Sequence, residues 1–114
     1  MNIAVFCSGN GTNLQAIIDS RGKGHIKADI KLVVSDAPDC HALVRAKNSG
    51  IRTLAVERKN FKTKKDFETE ILNALKKENI NLIVLAGYMR MLSGDFIGAY
   101  ENKILYVHPA LLPS

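Results

Sequence analysis

The chain has 114 residues, 46% apolar and 24% charged, with a net charge of +5, a balance that fits one globular domain with a single core. No stretch has the long apolar run of a membrane span, and Met1 to Phe6 carries neither a basic leader nor a small-residue cleavage site, so a cytoplasmic protein is expected. Cys7 and Cys40 stand far apart without a CxxC partner, which reads as two reduced thiols; His41 beside Cys40 is two ligands short of a zinc site, and no metal is expected.

Short apolar runs alternate with helical patterns, without repeats or linkers, so residues 1–114 read as one domain. Ile3 to Cys7 is a buried strand, stopped by Ser8-Gly9-Asn10-Gly11. From Asn13, the spacing of Leu14, Ile17 and Ile18 predicts a helix ending near Gly22 or Gly24. Ile30 to Ser35 is a second strand with Asp36-Ala37-Pro38-Asp39 as its turn. His41 to Ser49 forms a short helix closed by Gly50, and Ile51 to Val56 a third strand. The excess positive charge gathers in Arg58 to Lys65 and in Lys76-Lys77, which suits a small anionic ligand; without interleaved aromatics, nucleic acid is not expected. Thr63 starts a longer helix with Phe67, Ile71, Ala74 and Leu75 on one side. Leu82 to Ala86 is almost wholly apolar, as in a strand covered on both faces. Gly87 to Leu92 loops to a short helix near Ser93, and Ile104 to His108 is the fifth strand. This alternation predicts an open, mainly parallel α/β sheet with helices on both faces, Rossmann-like, its fifth strand exposing an edge that invites a homodimer. Ligands of such sheets sit outside the carboxyl ends of the strands.

The loop after the first strand, Ser8 to Leu14, runs directly into a helix. Glycines there allow a sharp turn and a close backbone approach to a ligand, and the free amides of the helix start suit a phosphate, with Thr12 and Asn13 adding side-chain bonds. A plainer reading makes Thr12 and Gln15 a capping box. A dinucleotide fingerprint would need glycine at Leu14, although Asp36 is roughly placed for a ribose, and the Gly-Lys-Ser/Thr of a P-loop is absent.

The loop after the fourth strand is apolar apart from Arg90. Met89, Met91 and Leu92 can wall a pocket for a flat heterocycle with an acidic tail, the tail meeting Arg90; otherwise they pack into the core and leave Arg90 solvated. On the fifth strand Tyr106 and His108 share a face, and His108 stands where a catalytic imidazole would, held by Pro109 to Pro113. His25 and His41 read as surface residues.

Together these segments resemble the phosphoribosylglycinamide formyltransferase family. The family pattern S-G-x-G-[ST]-N-L is matched by Ser8 to Leu14, L-A-G-[FY]-M-R-[IML]-L by Leu85 to Leu92, and N-I-H-P-S-L-L-P by Tyr106 to Pro113. The resemblance implies formyl transfer from 10-formyltetrahydrofolate to the amine of glycinamide ribonucleotide in purine synthesis. Gly11, Thr12 and Asn13 would hold the ribonucleotide phosphate, and Met89, Arg90, Met91 and Leu92 would line the folate pocket with Lys64 at its rim. His108 would stabilise the tetrahedral intermediate and pass a proton, without a covalent enzyme intermediate. Tyr106 departs from the family asparagine, whose amide donates to the developing oxyanion; a phenol can also donate but reaches further. Family members continue beyond Leu-Leu-Pro, so the chain is expected to be an amino-terminal portion, lacking the aspartate that orients the histidine and weakly active alone. Methionyl-tRNA formyltransferase, formyltetrahydrofolate hydrolase and a non-catalytic phosphoribosyl-binding remnant are the alternatives.

Overall fold

Asn2–Cys7 and Leu82–Leu85 are almost free of polar side chains, and burial of both faces follows from that composition. The computed structural model, which describes residues 1–24 and 28–107, makes them the centre of a five-stranded sheet. The strands are β1 (Asn2–Cys7), β2 (Asp29–Ser35), β3 (Thr53–Ala55), β4 (Leu82–Leu85) and β5 (Ile104–Tyr106). They alternate with α1 (Thr12–Gly22), α2 (His41–Asn48), α3 (Lys64–Lys77) and α4 (Gly94–Ala99). The order is β3-β2-β1-β4-β5, and every described pairing is parallel.

Alternation along the strands feeds two cores. Ala4, Phe6, Val34, Ile83 and Leu85 point toward α3 and α4, against Phe67, Ile71, Leu75 and Phe96. Ile3, Val5, Val33 and Val84 point the other way, against Leu14 and Ile17 of α1 and Ala42, Leu43 and Ala46 of α2. The expected helices on both faces are therefore present. Thr63 and Ser93 cap α3 and α4, accepting from the amides of Asp66 and Phe96 at 3.1 and 3.2 Å. No described helix is long and apolar enough to cross a membrane.

Two local expectations need correction, and one stretch takes a form the sequence did not indicate. The capping box does not form: Gly11, left-handed at φ 82°, is the N-cap of α1, and the Gln15 amide group donates to Asp19 at 3.0 Å instead. A box needs an extended cap residue whose side chain can reach forward, and Thr12 already lies in the helix. The edge strands are shorter than expected, Thr53–Ala55 in place of Ile51 to Val56, because each has a described neighbour on one side only. Part of the basic stretch winds into a 3-10 turn, Arg58–Asn60. The expected end of the fifth strand at His108, the segment 109–113 and His25 lie outside the described residues.

Candidate active site

The chain leaves β1 toward β2 and β3, then returns to the opposite side of β1 at β4. The carboxyl ends of β1 and β4 therefore flank the point where the winding of the sheet reverses, the usual crevice for ligands in open α/β sheets. Two of the three segments marked by sequence, 8–14 and 87–92, meet there.

Ser8 joins them. Its amide donates to the Gly87 carbonyl at 3.2 Å, and its hydroxyl accepts from the Met89 amide at 2.8 Å. Gly9 to Asn13, with Ala86 and Gly87, line a hollow of about 130 Å³. Thr12 and Asn13 open α1, where the first turn leaves its amides without helical partners. Thr12 and Asn13 also line the hollow, and free amides at the positive end of a helix dipole suit a phosphate.

Helix α2 shapes this loop from behind. The Ala42 amide donates to the Gly9 carbonyl at 3.2 Å, and Arg45 Nε to the Asn10 carbonyl at 2.9 Å. A side chain at Gly11 would bring a Cβ to 2.6 Å from Ala42 Cα. The close approach that this glycine permits includes one to helix α2. Sequence reasoning missed Arg45, although it follows Ala42 by three positions and so shares its helix face.

The segment 87–92 turns at Gly87, whose φ is 83°. Met89 and Met91 are 81% and 83% exposed, so they do not pack into the core as one reading allowed. Leu92 and Tyr88 do, against the α3 side, where the Tyr88 ring stands edge-on to Phe6 with centroids 5.3 Å apart. Arg90 is not simply solvated: its Nε lies 3.5 Å from Asp36 Oδ2, and its guanidinium sits over the Phe67 ring at 5.5 Å. Burial raises the Tyr88 phenol above its usual range, with the Asp36 charge adding to it, so the ring stays neutral.

Lys64 opens α3 and borders a different cleft of about 210 Å³ with Lys65, Thr69 and Ser93. Glu68, 5% exposed, closes its floor and accepts from both the amide and the hydroxyl of Ser93. This carboxylate was legible only as a charge on the apolar side of α3, between positions 64, 71 and 75. Tyr106, 72% exposed, ends β5 beside Leu85. Ile104 packs toward α3 and α4, so Tyr106 points to the same face as Tyr88 and Leu92. His108 lies outside the described residues. Among the described residues, no cluster of three potential metal ligands occurs.

A parallel sheet with a glycine loop and an apolar loop meeting at its switch point defines a class of nucleotide-type binding folds, and comparison with known proteins gives the family. The formyl transferase family model matches residues 1–114, and the chain belongs to that family. It is 45% identical to the phosphoribosylglycinamide formyltransferase of Haemophilus influenzae, over 97% of this chain and 52% of that protein. It is 41% identical to the chicken trifunctional purine biosynthetic protein adenosine-3, over 100% of this chain and 11% of that protein. Glycinamide ribonucleotide transformylase 1 from Geobacillus kaustophilus superposes with a TM-score of 0.91 at 42% identity, covering 99% of this chain and 60% of that one. The chain thus spans about half the length of its stand-alone bacterial relatives.

Proposed function

We propose that the chain carries the ribonucleotide loop and part of the folate pocket of an enzyme moving a formyl group from 10-formyltetrahydrofolate to the amine of glycinamide ribonucleotide. The observation that supports this most is the junction at Ser8, which sets a phosphate-sized hollow directly beside an apolar loop. Gly11 gives the loop its shape, while the amides of Thr12 and Asn13 and their side chains hold the phosphate. Leu92 and Tyr88 offer a half-buried apolar wall, with Met89 and Met91 as an exposed rim able to fold over a ring. Those residues suit a flat, largely apolar heterocycle. Bound there, 10-formyltetrahydrofolate would supply an activated one-carbon acyl group. His108 takes the proton from the attacking amine, and the Tyr106 phenol stands where the family's asparagine amide donates, a bulkier group that reaches further from the backbone. Lys64, across the α3 cleft, contributes charge at long range to an acidic tail. Cytoplasmic location follows from this assignment to a step of purine synthesis.

Titration with ribose 5-phosphate tests the reading on the chain itself. Amide resonances of residues 9–14 are expected to move while those of β2 and β3 stay fixed. Absence of any shift in that loop at millimolar ligand would remove the phosphate assignment and the proposal built on it.

A further inference from the structure

We propose that Asp36 is a positioning residue: through Arg90 it fixes the shape of the 87–92 segment. The two side chains come from loops 54 positions apart in sequence, and the sheet order brings the ends of β2 and β4 to the same edge on either side of β1.

Besides the packing of Tyr88 and Leu92, polar contacts pin the segment at three points. Ser8 fixes its start through Gly87 and Met89, and Glu68 fixes Ser93 beyond its end. Between them, Tyr88 and Leu92 pack toward α3, and Arg90 turns toward Asp36 and Phe67 while Met89 and Met91 on either side are open to solvent. Its guanidinium is gripped from two directions, by the Asp36 carboxylate at 3.5 Å and by the face of Phe67 at 5.5 Å. Phe67 is itself wedged edge-on by Phe61, with centroids 5.8 Å apart. Such a site holds an arginine far better than a lysine, since the planar cation stacks and pairs at once.

Asp36 is suited to the role because it is not a surface partner. Its side chain is 17% exposed, one oxygen faces Arg90, and the other is buried with no described hydrogen-bond partner. Exposed ion pairs contribute little, but a largely buried carboxylate that loses its cation is left uncompensated, which is costly. The Tyr88 hydroxyl, one residue from the turn, is likewise buried without a described partner, and the Asp36 charge reaches it. Asp36 therefore influences two residues of the segment, Arg90 directly and Tyr88 through its field. One consequence follows for the ligand: with Asp36 neutralising it, Arg90 shapes the wall of the pocket instead of supplying a free charge to an acidic tail.

This rests on the proposed function only in taking the segment as a pocket wall, and the test separates the two. Hydrogen exchange of the Met89 amide reports the segment, and that of Val33 and Val34 reports the sheet. In Asp36→Asn and in Arg90→Gln, Met89 is expected to exchange roughly tenfold faster with the sheet amides unchanged, and the double variant no faster than either single one. Folic acid, used as a probe, should bind roughly tenfold more weakly to both variants, while inorganic phosphate at residues 9–13 keeps its affinity. Unchanged Met89 exchange, or additive effects in the double variant, overturns the positioning role. Should Asp36→Asn disturb the sheet itself, Arg90→Gln, at a half-exposed position, decides the matter alone. Faster exchange with unaltered folic acid binding keeps the positioning role and removes the pocket reading instead.

Discussion

Gly11 carries two constraints at once, a left-handed backbone and a helix at its back. A left-handed conformation costs an ordinary residue about 1–2 kcal/mol, and displacing a packed helix backbone about 1–3 more. Gly11→Ala is therefore expected to lower stability by about 2–5 kcal/mol in urea unfolding; a loss under 1 kcal/mol would mean that α2 yields easily. At Tyr106 the question is chemical. In the chain extended to the length of its bacterial relatives, Tyr106→Asn is expected to raise formyl transfer by on the order of a hundredfold, the usual worth of a well-placed oxyanion donor. A lower rate would show the phenol to be an adapted donor. Cys7 is 1% exposed, and burial, followed by the charges of Cys40 and Asp36, pushes its thiol from 9.0 up to about 12. A raised acid is neutral in the folded chain and ionises first in the unfolded one, so its contribution is intact below pH 9 and is lost as pH climbs toward 12. Cys7 should lower stability there by about 1.4 kcal/mol per pH unit, the buried phenols of Tyr88 and Tyr100 adding to the fall above pH 10, and Cys7→Ala should reduce the slope most below pH 10. An unchanged slope would assign the loss to other groups.

The elements with an internal period or an all-apolar run were the legible ones. β1, β2 and β4 fall within a residue of their expected bounds and α3 begins within a residue of its expected start, because burial on one or both faces is written into their composition. What escaped is polar and long-range. The ion pair of Asp36 with Arg90, the brace of Arg45 on Asn10 and the Ser8 bridge each join segments that only the sheet order brings together. The cap at Gly11 escaped for a different reason: Thr12 and Gln15 carry the letters of a capping box, but the chain enters α1 one residue earlier. Of the expected site residues, the two loop groups lie together at the carboxyl ends of β1 and β4, while Lys64 borders a separate cleft. Glu68 shows how an element boundary is fixed by such a contact. Its carboxylate accepts from the amide and hydroxyl of Ser93, and Ser93 in turn caps α4. Removing the acceptor leaves a half-buried amide unpaired, so Glu68→Ala should cost about 1–3 kcal/mol. Amide exchange in Phe96 and Ile97 should quicken ahead of that in α3. A fully stable Glu68→Ala chain with unaltered exchange in α4 would assign the anchoring to packing of Phe96 alone.

At the scale of the molecule, the two edges of the sheet differ in kind. β3 is three residues long and is followed closely by Glu57, Arg58 and Lys59, charges that discourage another strand from docking. β5 is equally short, but Leu105 is 52% exposed and the partner described for it is β4 on one side only. Leu105 and Val107 also border an apolar groove of about 230 Å³ with Ile3, Ile17, Leu82 and Val84. Among the described residues no second strand pairs with this edge and none covers the groove, an arrangement that favours pairing with another strand, since each new ladder bond comes with burial of apolar surface. The 114-residue chain is accordingly expected to self-associate through β5, its sedimentation-average mass rising across the micromolar range. Leu105→Lys places a charge at the centre of the strand and at the lip of the groove, so it should hold the chain monomeric without loss of the α3-side core. Thr53→Lys, at the other edge, should leave association as it was. Equal loss of association in both variants would point to general charge repulsion, and a wild-type chain that stays monomeric throughout the range would show that the β5 edge is protected by itself.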